Sequence, residues 1–459
     1  MMRNEQAIRN LAAKLHGPLL QPGEPGYDDA RAVWNAMIDR RPALIVQPQH
    51  VADVCAAVNF AREHDQAVAV RAGAHNVAGS GVCDGGVLVD LAAMRGVDVD
   101  ADAGIARVQG GAQLTDLDGA SAAHGLATPG GVVSSTGVGG LALGGGFGWL
   151  ARKHGLAADN LLSLDLVTAD GELVHASGDE NPDLFWALRG GGGNFGVVTR
   201  FTFQLHPLGH DVLFGPTVYR LEDAPAVLRR YREFCAQAPR ECCVWADLLN
   251  APPLPYLPER VHGTPVLSLM QCYSGTDWKE GRRILAGLHN AADPIGDGVA
   301  PRPYLEAQQF LDQAYEHGAR NYWSTQSYVE LPEQAIDTLT GLAAALPAAE
   351  SDILISQLGG AIDDMAPEAT AYPHRGIRFT VTVGARWRES ADDARCVAWA
   401  RDGGAALAAG ASGGRYVNFV GEASGSERSA YGLNFERLQD VKRQVDPSNL
   451  FRVNQNVVP

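Results

Sequence analysis

The chain has 459 residues, 46% hydrophobic and 20% charged, and carries a net charge of −16. That length and balance give two or three domains with cores of their own and exclude a disordered chain. The acidic surplus, with Lys and Arg gathered no further than pairs such as Arg40-Arg41 and Arg229-Arg230, excludes a nucleic-acid partner.

Residues 1–40 read as helix and loop, and Leu44-Ile45-Val46 as a short strand. Val51, Val54, Cys55, Val58 and Ala61 recur at helical spacing and predict an amphipathic helix. Ala67–Arg71 is a strand, and it runs into Ala72-Gly73-Ala74-His75-Asn76-Val77-Ala78-Gly79-Ser80-Gly81. Six of the eleven residues 71–81 are Gly or Ala. Small residues let a ligand approach the backbone, whose N–H groups then bind phosphate oxygens. His75 is the one group in this loop able to act as nucleophile or base near neutrality. A tight turn with a hydrogen-bonded histidine is the other reading. Strands follow at 85–91 and 106–109, then a helix over Gln113–His124 closed by Gly125.

Residues 128–149 hold nine glycines in 22 positions, a density that fits no packed helix or strand and predicts a backbone approached by a ligand. Gly137-x-Gly139-x-x-Ala142 matches a dinucleotide fingerprint, but without the strand and clean helix a Rossmann site needs. Asp170-Gly171 between alternating runs predicts a hairpin. A short helix at Asp183–Leu188 is stopped by Gly190–Gly193-Asn194-Phe195-Gly196, before a strand at Val197–Leu205. Three glycine clusters among short strands predict one ligand wrapped by three loops. Beyond about residue 210 strand-like runs (266–272, 352–358, 377–383) alternate with helical ones (224–236, 279–288, 332–346, 391–409), giving an α+β unit suited to shaping a substrate pocket. A terminal helix ends at Asp446-Pro447.

Seven cysteines form no C-x-x-C pair, so no zinc or redox centre is expected, and free thiols suit a reducing compartment. The N-terminus leads into no apolar segment, and no run of 18 apolar residues exists. The expectation is a cytoplasmic protein that spans no membrane and holds no metal.

Taken together, Arg71-x-Gly73-x-His75, Gly137-Val138-Gly139-Gly140, Gly144-Gly145-Gly146-Phe147-Gly148, Arg152-x-x-Gly155-Leu156-x-x-Asp159-Asn160, Gly190–Val198, Tyr372-Pro373-His374-Arg375 and Asp446-Pro447-x-Asn449-Leu450-Phe451-x-x-Asn454-Gln455-Asn456 resemble the berberine-bridge-enzyme-like branch of the vanillyl-alcohol-oxidase flavoproteins. The resemblance implies an α+β fold: a two-subdomain, PCMH-type FAD-binding domain over 1–210 (core about 38–208), a substrate domain over 211–410 with a mixed or antiparallel sheet roofing the flavin, and a C-terminal segment, 411–459, returning to the first domain. It implies FAD bonded covalently through His75. Residues 71–76 (Arg71, Ala72, Gly73, Ala74, His75, Asn76) and 137–140 (Gly137, Gly139, Gly140) would hold the pyrophosphate, and Val197 and Val198 would lie near the adenine end. Gly79, Val132, Thr136, Gly144, Gly148, Asp159, Asn454 and Asn456 complete the implied cofactor site. Val133 stands where many relatives carry a second-tether Cys, so one covalent bond is expected, together with a tighter cleft and a small or medium substrate.

The implied reaction removes a hydride from an alcohol, amine or sugar hydroxyl carbon to flavin N5, with O2 as acceptor and H2O2 as product. A flavin dehydrogenase or a non-catalytic FAD protein is the alternative. Tyr416, in Tyr416-Val417-Asn418-Phe419, is the candidate base, or else a structural tyrosine in a strand facing the flavin. As a base it needs cationic or hydrogen-bonding neighbours. Thr136, close to Val in size, leaves room for O2. Tyr322 and Gln357 are candidate pocket residues, with core packing as the other reading, as it is for Trp323. His374 reads as structural, and His124 and His154 as capping or surface residues.

Overall fold

In the computed structural model, which describes residues 2–422 and 425–459, the N-terminal half builds two small sheets and a two-stranded pairing of Leu126–Ala127 with His206–Pro207. In the first, Val87–Asp90 lies between Leu44–Val46 and Val68–Arg71, all parallel, with Leu19–Leu20 added antiparallel at the edge. The helix Val51–Glu63 is the crossover. Its Val54, Ala57, Val58 and Ala61 are wholly buried against the sheet. Asp53 starts it, accepting the N–H groups of His16 and Gln49 at 2.9 Å. Although burial opposes ionisation, those bonds hold its carboxyl down at about 2. The second sheet is five-stranded and antiparallel, in the order Val97–Asp100, Ile105–Gln109, Val197–Gln204, Leu161–Val167, Leu173–Ser177.

The roof is an eight-stranded antiparallel sheet. Its central strands Asp211–Arg220, Pro265–Tyr273, Cys242–Asn250, Asp352–Gln357, Phe379–Trp387 and Arg320–Tyr328 run side by side in that order. The helices Ala224–Gln237, Glu333–Ala343 and Asp393–Ala406 cover one face. Val244, Ala246, Leu248, Ile353, Ile355, Val381 and Val383 pack beneath them. The alternate residues Cys243, Trp245, Leu354, Met270 and Cys272 face the N-terminal half, as the two-residue period of a strand requires. The C-terminal helix Phe435–Val445 returns to the five-stranded sheet, with Leu438 and Val441 in the same cluster as Phe201 and Phe203.

Three differences from the sequence reading have local causes. The glycine-rich stretch does contain a helix, Val138–Leu143. Gly139 there lies where a Cβ would come within 3.2 Å of the Gly110 carbonyl, so its glycine serves close packing. Tyr416 precedes a 3₁₀ turn, Val417–Phe419, and is not in a strand. His154 is half-buried and stacked on His206 at 4.0 Å, where burial draws its imidazole down to about 4. His124 is exposed, and His374 Nε2 donates to the Ala430 carbonyl at 2.8 Å.

Candidate functional site

The parallel strands end together, and that shared end creates the site. Arg71 and Asp90, the last residues of neighbouring strands, form a bidentate pair at 3.0 and 2.5 Å. Arg71 also donates to the Ala32 carbonyl at 3.0 Å. A buried pair so supported fixes where the next loop begins. That loop, 72–76, lies along a deep cleft between the two small sheets and the roof, with about 2020 Å³ of space between protein atoms, open mouth included.

In this loop Ala74 takes a left-handed backbone, φ 58°, uncommon for a residue with a β-carbon and concentrated at ligand clamps. None of the N–H groups of residues 73–76 donates to another protein group among the described residues. Gly73 and Gly137 interlock so closely that a Cβ on either would collide with the other's backbone. The result is a concave set of free N–H donors, which suits phosphate oxygens.

His75 sits at the wall of this cradle. Its Nε2 is 2.7 Å from Ser135 Oγ, and Nδ1 has no protein partner among the described residues. The ring stacks on Trp34 with centroids 5.4 Å apart and meets His317 edge-on at 5.1 Å. Burial, with repulsion from His317 and Arg386 added, draws its pKa down to about 3. The imidazole is therefore neutral across the physiological range, the form in which it is a nucleophile.

Of the residues expected at the cofactor, Arg71, Ala72, Gly73, Ala74, His75, Asn76, Val132, Thr136, Gly137, Gly139, Gly140, Val198 and Asn454 line the cleft, as do Val133 and Tyr416. Asn454 Nδ2 donates to the Gly193 carbonyl at 3.1 Å, while its buried Oδ1 has no partner among the described residues. Such an orphan is costly unless a ligand supplies a donor. FAD fits this donor set: free loop amides for its phosphates, an orphaned amide oxygen, and a neutral imidazole.

Other expected residues lie off the cleft. Gly79 packs on Ile38, Gly144 lies under the Asn418 amide, and Gly148 faces the carbonyls of Gly130 and Gly131. Val197 is a core residue paired with Val167. Asn456 does not reach the cavity wall, although its Oδ1 is also orphaned. Asp159 is held in a buried bidentate pair by Arg375, at 2.7 Å on both arms. Tyr322 turns outward, its hydroxyl on Glu422 at 3.0 Å. Gln357 is a core residue whose Oε1 accepts from the Val244 N–H at 2.7 Å. The roof strands expose alternate residues, so Trp323, Leu354 and Thr382 face the cleft in their place.

Tyr416 is buried at the cleft wall. Its hydroxyl oxygen accepts from the Gly146 N–H at 3.0 Å and from Asn418 Nδ2 at 2.9 Å. Both donors favour a phenolate, but burial outweighs them and pushes the pKa up to about 12. The hydrogen-bonding neighbours a base needs are present, and no cation is among them.

Several residues that sequence reasoning did not single out complete the cleft. Trp34 donates its indole N–H to the Tyr315 carbonyl at 2.7 Å. The Tyr315 hydroxyl donates to Asp352 Oδ2 at 2.5 Å. Asp247 lies on the neighbouring strand, and burial raises both carboxyls, that of Asp247 further under the charge of Asp352. One signal was legible: Asp247 is the single charge in the apolar run Cys242–Leu249.

Comparison with known proteins gives the following. A family profile described as "FAD binding domain" matches residues 42–177, and one described as "Berberine and berberine like" matches 415–458. An "Uncharacterized FAD-linked oxidoreductase YgaK" of Bacillus subtilis is 30% identical over 454 residues, covering 97% of this chain and 98% of that protein. The (R)-6-hydroxynicotine oxidase of Paenarthrobacter nicotinovorans is 31% identical over 463 residues, covering 97% of each. The crystal structure of 6-hydroxy-D-nicotine oxidase from Arthrobacter nicotinovorans superposes with a TM-score of 0.86 at 28% identity, over 97% of this chain and 98% of that one.

Proposed function

Since this chain belongs to the berberine and berberine-like family of FAD-linked oxidoreductases, we propose that it is an FAD-dependent oxidase that takes a hydride from a carbon of a small or medium alcohol, amine or sugar and returns the electrons to O2 as H2O2. FAD, when bound, supplies the two-electron acceptor. The observation that carries the reading is His75, a neutral imidazole with one free ring nitrogen at the edge of an amide-lined cradle. Ser135 holds its other nitrogen, so the ring is oriented before it bonds the cofactor. A single tether is proposed because Val133, which lines the cleft, has no nucleophile.

The residues have distinct tasks in this scheme. The N–H groups of 73–76 and the side chain of Asn454 hold the cofactor. Trp34, Trp323 and the roof close the reacting end against water. Tyr416 touches the substrate and takes its hydroxyl or amine proton: as a phenolate it keeps the Gly146 and Asn418 donors and has a further lone pair for that proton. Thr136, at the cleft wall, leaves space for O2, which favours the oxidase over a dehydrogenase.

Acid denaturation is the test. The colour stays with precipitated protein, and a peptide containing His75 gains the mass of one FAD. His75→Ala sends the colour into the supernatant. Colour retained in the precipitate of that variant would move the tether elsewhere. Substrate that bleaches the flavin without O2 uptake would replace the oxidase by a dehydrogenase.

A further inference from the structure

Two carboxyl groups, Asp247 and Asp352, lie on the roof side of the cleft, apart from the amide-lined loop. Asp247 and Asp352 come from adjacent antiparallel strands in a register that sets Asp247 opposite Leu354, two residues from Asp352. They are diagonal neighbours on the face that also carries Trp245 and Leu354. Asp352 lines the cleft, while Asp247 is only 6% exposed and its Oδ1 has no hydrogen-bond partner among the described residues. A buried carboxylate oxygen without a donor is a costly arrangement that a bound donor relieves.

The neighbouring cation does not supply that donor. Arg386 is spent on Glu350 (Nε to Oε2, 3.0 Å), the Glu316 carbonyl (2.5 Å) and Asn321 Oδ1 (3.3 Å), and its guanidinium lies over Trp34. Tyr315 gives one hydrogen bond to Asp352 and none to Asp247. His75 and His317, which lie within reach of Arg386, are both held toward the neutral form by burial. The pair therefore has no direct ion-pair partner among the described residues, and Arg386 acts on Asp352 only through space.

The wall beside it is aromatic without a break. Trp34 meets Trp323 at 5.6 Å, Trp323 meets Phe419 at 5.4 Å, Phe419 meets Phe147 at 5.6 Å, and Phe147 meets Trp245 at 6.1 Å. Ring faces attract a cation and stack on a flat apolar skeleton. They offer little to the many hydroxyls of a sugar chain.

On the reading that this end of the cleft receives the substrate, we infer that the Asp247–Asp352 pair is an ammonium anchor, and that the substrate is a protonated amine carried on an aromatic skeleton. An amine N–H donor satisfies the orphaned Asp247 Oδ1, and its charge is attracted to the negative charge the pair carries when ionised.

Isothermal calorimetry on the purified holoenzyme without O2, near neutral pH, tests this with benzylamine and benzyl alcohol as probes. Benzylamine binds at least about tenfold more tightly than the neutral alcohol, the increment expected for one charge-assisted hydrogen bond. Asp352→Asn and Asp247→Asn each remove the difference, and Asp352→Glu, which keeps the charge, restores most of it. Equal binding of the two probes to the wild type would overturn the inference, as would a preference that survives in both Asn variants. A colourless protein would instead overturn the flavoprotein reading, since the calorimetric comparison does not depend on colour.

Discussion

Replacing Tyr416 by Phe removes one oxygen, and the structure separates its two consequences. The first is structural. The Gly146 N–H, which donates to Tyr416 at 3.0 Å, is left without an acceptor, whereas Asn418 Nδ2 keeps the Leu141 carbonyl at 3.1 Å. One buried orphan costs about 1–3 kcal/mol of stability, a drop of a few degrees in the thermal midpoint. The second is chemical. With its pKa pushed up to about 12, Tyr416 is a phenolate in roughly one molecule in 10⁵ at neutral pH. If it takes the substrate proton, flavin reduction by the wild type climbs about tenfold per pH unit on the alkaline side. Tyr416→Phe then slows reduction by about 10²-fold or more, near 2.7 kcal/mol in the barrier, and the alkaline climb disappears. Anaerobic stopped-flow bleaching of the flavin across neutral and alkaline pH, beside thermal melts, measures both effects. A variant that melts a few degrees lower but reduces its flavin within about tenfold of wild type, or keeps the same pH slope, would return Tyr416 to a structural role.

Two further predictions concern buried charge. Arg375→Met strands Asp159, 7% exposed, without its bidentate partner. It should cost about 3–5 kcal/mol, and a thermal midpoint close to wild type would refute this. Asp118 is buried, accepts from Gln308 Nε2 at 3.0 Å, and burial pushes it up to about 7. A folded-state value above the unfolded one means the folded state holds the proton more tightly. Its stability contribution is thus complete below the unfolded pKa of about 4 and is lost as pH rises through about 7, at up to roughly 1.4 kcal/mol per unit crossed. A protonated Asp118 would also offer a donor to Gln308 Oε1, which otherwise has none. Asp118→Asn should flatten the decline of the thermal midpoint between acid and mildly alkaline buffer, and an unchanged decline would assign the loss to other groups.

Much of the fold was legible because its signals are local. The helix Val51–Glu63 follows from spacing, and the hairpin of Leu161–Val167 and Leu173–Ser177 from Asp170-Gly171. Two roof strands went unread because neither shows a one-sided apolar pattern. Cys242–Asn250 is buried on both faces, so its pattern does not alternate. Arg320–Tyr328 is polar because Asn321, Thr325 and Gln326 bond across to other segments, Asn321 Oδ1 accepting from Arg386 and Gln326 Nε2 donating to the Gly404 carbonyl at 2.9 Å. The roof was therefore underestimated, although its position over the glycine loops was implied by resemblance.

The site divides in the same way. Its cofactor side is one continuous device, strand then small-residue loop, and its chemistry is written in consecutive residues from Arg71 to Asn76. Its opposite side is assembled from residues far apart in sequence. Trp34 reaches Tyr315, Tyr315 reaches Asp352, and Asn35 ties Val77 beside the histidine loop to Asn321 on the roof, at 2.8 and 2.9 Å. No short spacing encodes such a chain, because each link is useful only after segments far apart in sequence have met. Asp247 is the exception that shows why: a carboxylate in an apolar strand breaks a local rule, and a broken local rule without a local partner marks the place where the fold waits for something else. The same logic sets Tyr322 aside, since its hydroxyl finds its partner within the protein, in Glu422. Specificity in this enzyme should thus be changed by substitutions at Asp247, Asp352 and Tyr315 and left nearly untouched by substitutions at Tyr322.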